Sequence, residues 1–141
     1  MCVSWGVTTG DVHLATVHLD SGGPPYRQTI RAGRHELVAD EPAVVGGGDH
    51  GPAPYGLLLS ALAACTSITL RMYADRKGWQ LGPVHVDLKM DRSNDEERIE
   101  RTIVLAPELP ADQRARLAEI AEKTPVTRTL RRATTIVTTI R

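Results

Sequence analysis

Gly46–Gly78, GGGDHGPAPYGLLLSALAACTSITLRMYADRKG, constrains this chain more than any other stretch. A glycine- and proline-rich loop runs into the longest apolar segment in the sequence. Pro54 suits the first turn of a helix, where a missing N–H costs nothing. Leu58, Ala61, Leu62, Cys65, Thr69 and Met72 follow helical spacing, while Leu57, Leu59, Ala63, Ala64, Ile68 and Leu70 fill the other faces. A helix apolar nearly all round is expected to be a buried core helix. Arg71, Asp75, Arg76 and Lys77 close the run, so it is read as too short for a membrane span. The late cations suit the negative helix end, and Gly78 suits a left-handed cap. One thiol, Cys65, sits mid-helix.

Around this helix the chain reads as one α+β domain, 1–141. Val12–Leu19, Tyr26–Ile30 and His35–Ala39 are expected strands of an antiparallel meander, with a tight turn at Ala32–Gly33. Asp40–Ala53 is a long loop. Its three glycines lack the Lys-Ser/Thr of a phosphate loop and the spacing of a dinucleotide fingerprint, so they are read as letting backbone pass close to another surface. Val84–Met90 alternates with Val84, Val86, Leu88 and Met90 inward. Asp91–Glu97 is expected as a polar hairpin loop, and Ile99–Leu105 returns with Ile99, Ile103 and Leu105 on one side. Pro107–Lys123 reads as a half-exposed second helix ended by Pro125. The β-branched Ala133–Ile140 reads as a final strand.

Lys plus Arg equals Asp plus Glu, at 17 each. With no basic field and few aromatics, nucleic acid is not an expected partner. His13, His18, His35, His50 and His85 share no ligand spacing, so neither a metal nor a cofactor is expected. A nucleophile elbow GxSxG is absent. The two cysteines, Cys2 and Cys65, are too far apart in role to suggest a structural disulfide. MCVSWGVTTG lacks the regions of a signal peptide, and the expected compartment is the cytoplasm, with no membrane partner. On spacing alone, Cys65 is read as a small hydrophobe. A reactive reading needs a nearby cation, for which Arg27, Arg31 and Arg34 are the candidates.

DEPAVVGGGDHGPAPYGLLLSALAACTSITLRMYADRKGW, HVDLKM, RIERTIVL and LPADQRARLAEIAEKTPVTRTL together resemble the OsmC/Ohr family of osmotically induced and organic-hydroperoxide-resistance proteins. The resemblance implies an intertwined homodimer with active sites at the subunit interface. It implies a peroxidatic cysteine, at Cys65 here, that attacks an organic hydroperoxide and becomes a sulfenic acid. An arginine of the meander, Arg27 by register, would tune the thiolate, with Arg31 and Arg34 behind it. The family's resolving cysteine falls on Thr124, a histidine that follows it falls on Thr127, and the helix-start carboxylate falls on Tyr55 or Gly56. A hydroxyl cannot close a disulfide, so an external thiol, or Cys2, would have to regenerate Cys65. The resemblance implies thiol-dependent peroxide reduction in oxidative-stress defence. The alternative is a non-catalytic binding protein that holds an apolar small molecule in the old cleft.

Overall fold

The computed structural model describes residues 10–21 and 23–141. The chain divides after Ser60 into two compact units. The dividing point falls inside a single continuous helix, α1 (Pro54–Lys77).

In the first unit, β1 (Val17–Ser21), β2 (Gln28–Ala32) and β3 (His35–Ala39) form an antiparallel sheet in the order β1-β2-β3. β3 spans the residues expected of it. β1 starts five residues later than expected. Gly33, at φ 60°, makes the tight turn between β2 and β3. Register places Leu19 opposite Ile30, and Ile30 opposite Leu37. On that face Val17, Leu19 and Leu37 are 57%, 53% and 46% exposed.

The loop after β3 is built on one carboxylate. Asp40 accepts hydrogen bonds from the backbone N–H of Glu41 at 2.8 Å and of His50 at 3.2 Å. Its Oδ2 also lies 2.8 Å from Nδ1 of His50. Asp40 N–H donates to the carbonyl of Pro52 at 3.4 Å. A 3-10 turn, Ala43–Val45, sits inside this clasp. A Cβ on Gly47 would meet the Glu41 carbonyl, and one on Gly51 would meet the Val38 carbonyl. The glycines therefore serve close backbone approach, as their lack of phosphate-loop context implies.

In the second unit, β4 (Val84–Ser93) and β5 (Glu96–Leu105) make a ten-rung antiparallel hairpin. The seven-residue loop expected at Asp91–Glu97 shrinks to Asn94–Asp95. Both residues hold positive φ, 51° and 63°, and this mirror-image turn matches the twist of the strands. α2 (Ala111–Ala121) follows, then α3 (Pro125–Leu130). α2 is shorter than the expected Pro107–Lys123, and Pro125, expected to end that helix, instead starts the next one, because a proline is as suited to a first turn as it is unsuited to an interior.

Three further expectations are corrected. Ala133–Ile140 forms no strand; Ile136, Val137 and Ile140 are 85%, 87% and 93% exposed. β-branched residues favour extended backbone, but a strand also needs a neighbour to pair with. α1 is not buried all round either. Leu62, Cys65, Thr66, Thr69, Leu70 and Ala74 form its buried stripe, whereas Ala61, Ala64 and Ile68 are exposed. At 24 residues it is also long and apolar enough to cross a membrane, contrary to the expectation from its charged end. The C-terminal half of its stripe has a packing role: Leu70 and Ala74 join Leu81, Leu109, Leu117, Ile120 and Ala121 in the core of the second unit.

Candidate functional site

Cys65 lies in the middle of α1, 1% exposed, and is a free thiol. Helical geometry puts Leu62 and Thr69 one turn away along the same stripe. Thr69 brings a buried hydroxyl with no hydrogen-bond partner, and Thr66 brings one that is doubly used. The Thr66 hydroxyl donates to the Leu62 carbonyl at 2.8 Å and accepts from Arg101 at 3.0 Å.

Arg101 is the hub of the surroundings. Its Nη1 donates to the hydroxyls of Thr66 and Thr127, both at 3.0 Å. Its Nη2 donates to the Ala121 carbonyl at 3.0 Å and to Glu122 at 3.1 Å. The side chain is only 11% exposed, so each of these bonds answers a proton that water does not reach easily. Glu122 is also gripped by Arg131, whose hydrogen bond is the main reason its carboxyl is held below the usual carboxylate range; Arg101 adds to the effect.

Thr124 is fully buried at the start of α3. Its hydroxyl lies 2.7 Å from that of Thr127. Thr124 and Thr127 therefore hydrogen-bond to each other. Through Thr127 and Arg101 they join Thr66, the neighbour of Cys65 in sequence. The hydroxyl pair satisfies itself and supplies no second thiol.

The sequence candidates for a cation sit elsewhere in the chain. Arg27 is exposed, just before β2 in the first unit, and Cys65 belongs to the second. Arg31 pairs with Asp20 at 2.8 Å, and Arg34 is exposed in the β2–β3 turn. Cys2 lies outside the described residues. Arg101 was missed, although the sequence carries a signal for it. Ile99, Arg101, Ile103 and Leu105 share one parity of β5, and all four are half-buried. An arginine in the inward register of an apolar strand needs buried acceptors, and two threonine hydroxyls and a carbonyl in this unit supply them.

Asp40 was also missed as a structural residue. Its side chain is fully buried. The His50 hydrogen bond, followed by the backbone N–H groups of Glu41, His50 and Gly48, lowers its pKa from 3.8 to about 2 against the opposing effect of desolvation. Among the described residues, no group of three or more His, Cys, Asp or Glu could hold a metal ion.

Comparison with known proteins now bears on these residues. The family described as OsmC-like protein matches residues 46–139, from the glycine loop through the C-terminal segment. No curated protein matches the sequence. Among solved structures, a putative osmotic stress induced and detoxification response protein from Psychrobacter arcticus is similar at TM-score 0.69 and 17% identity, covering 85% of this chain and 89% of that one. An OsmC organic hydroperoxide resistance protein from Legionella pneumophila is similar at TM-score 0.61 and 17% identity, covering 86% and 92%. A putative organic hydroperoxide resistance protein from Vibrio cholerae, with captopril bound in one of its active sites, is similar at TM-score 0.63 and 18% identity, covering 87% and 88%. At these identities the structures share a fold with this chain.

Proposed function

Because this chain belongs to the OsmC-like protein family, we propose that it serves oxidative-stress defence as a one-cysteine, thiol-dependent peroxidase for organic hydroperoxides. The observation that carries the reading is Cys65, a free thiol at the centre of α1 within the region that matches the family. Organic hydroperoxide resistance proteins with the same fold support the substrate class.

The chemistry balances without a second cysteine. The Cys65 thiolate attacks one oxygen of ROOH, the O–O bond breaks, and RO⁻ leaves and takes a proton as ROH. Cys65 is left as a sulfenic acid. An external thiol then attacks that sulfur, releasing water and forming a mixed disulfide. A second external thiol frees Cys65 and departs as the oxidised disulfide. Thr124 takes no part, since its hydroxyl cannot perform the second step.

The reading includes a homodimer. The exposed apolar face at Val17, Leu19 and Leu37 and the unpaired, exposed Ala133–Ile140 support it, since monomers rarely leave such surface open. Arg27, from the first unit, is the arginine the reading assigns to tuning Cys65, and the compartment is the cytoplasm.

A second reading is favoured by the burial of Cys65. A thiol 1% exposed fits a non-catalytic protein that holds an apolar small molecule. Steady-state assays with cumene hydroperoxide and dithiothreitol separate the two. The peroxidase reading expects turnover that Cys65→Ser abolishes. Equal rates for wild type and Cys65→Ser would leave the binding reading standing.

A further inference from the structure

The second unit contains a cavity of about 440 Å³ whose wall includes three arginines, Arg98, Arg101 and Arg131. Their charges are unevenly matched. Arg98 pairs with Glu100 at 3.1 Å, and Glu97, also in the wall, pairs with Arg92. Arg101 and Arg131 share one carboxylate, Glu122. Two guanidinium groups against one carboxylate leave excess positive charge in a half-enclosed space, where it is less screened than on open surface.

Glu122 is the weak member of that trio. It is the C-cap of α2, at the negative end of the helix dipole, where a carboxylate is unfavourable. Its side chain is 53% exposed, so it can swing into water. Arg101 stays in place without it, held by Thr66, Thr127 and the Ala121 carbonyl. Leu62, Ile99 and Leu130 give the same cavity an apolar side. The wall thus offers planar donors matched to a carboxylate next to surface matched to hydrocarbon.

We propose that this cavity binds a small carboxylate with a short aliphatic tail, the head group replacing Glu122 between Arg101 and Arg131 and the tail lying on Leu62, Ile99 and Leu130. Glu122 acts as a built-in stopper that the ligand displaces. The site needs no reaction at Cys65.

Hexanoate titrated into the full chain, followed by amide chemical shifts and calorimetry, tests the proposal. Saturable binding that shifts the amides of Leu62, Ile99, Thr127 and Leu130 is expected. Arg131→Gln, at an exposed position that folding should tolerate, should weaken binding about tenfold through loss of a charge-assisted pair. Glu122→Gln should strengthen it several-fold. Cys65→Ser should leave it unchanged, so failure here and failure of the peroxidase reading are distinguishable. Hexanol binding as well as hexanoate would overturn the head-group assignment, and inorganic phosphate binding as well would overturn the tail. An unmoved affinity in Arg131→Gln, or no saturable binding, would overturn the site itself.

Discussion

Asp40, buried, and Arg101, half-buried, are charges that organise polar groups around themselves, one in each unit. Asp40 finds its partners within ten residues of its own position, from Glu41 to His50. Arg101 reaches partners 35, 26 and 20 residues away, on α1, α3 and the end of α2. The first closes a loop locally, and the second fastens three elements that the chain alone leaves apart. Loss of a local clasp frees one loop, whereas loss of a long-range hub uncouples the packing beside Cys65.

That difference sets the order of expected effects. Arg101→Met removes the donor for the buried Ala121 carbonyl and for two hydroxyls, and should cost about 3 kcal/mol in urea unfolding. An unchanged midpoint would show that the hub is decorative. Gly51→Ala, in the Asp40 clasp, forces a Cβ against the Val38 carbonyl. It should cost about 2 kcal/mol, since overpacking against backbone relaxes poorly.

Asp40→Asn should lower the melting temperature less than Gly51→Ala at neutral pH, because an amide can keep part of the clasp. Its signature is in acid. The folded pKa of Asp40, about 2, lies below its ordinary 3.8, so the carboxylate's contribution is complete above pH 3.8 and is lost as pH falls toward 2. Wild type should lose stability over that window more steeply than Asp40→Asn; parallel pH curves would sink the assignment. Glu122→Gln should change stability least, by under about 1 kcal/mol, because Glu122 is half exposed and its pair with Arg131 lies at the surface.

The same contrast explains what could be read from the sequence. β3, α1 from Pro54 and the β4–β5 pairing follow from alternation, caps and helical spacing, all of which act over a few residues. Cys65 was visible as the lone thiol of the helix. Arg101 was obscured because it interrupts an apolar strand, and its acceptors lie far off in sequence. Thr124 and Thr127 could be singled out only by the sequence resemblance. Their mutual hydrogen bond depends on α3, which Pro125 concealed by looking like a terminator. Ala133–Ile140 shows the converse failure: propensity favours a strand there, but pairing decides it.

Trapping the sulfenic acid tests the central claim most directly. The folded protein, treated with cumene hydroperoxide in the presence of dimedone, is analysed by intact mass and peptide mapping. Stoichiometric dimedone addition at Cys65 is expected, with no disulfide formed in the absence of added thiol. An unmodified Cys65 at hydroperoxide concentrations that oxidise an active organic hydroperoxide resistance protein would contradict it.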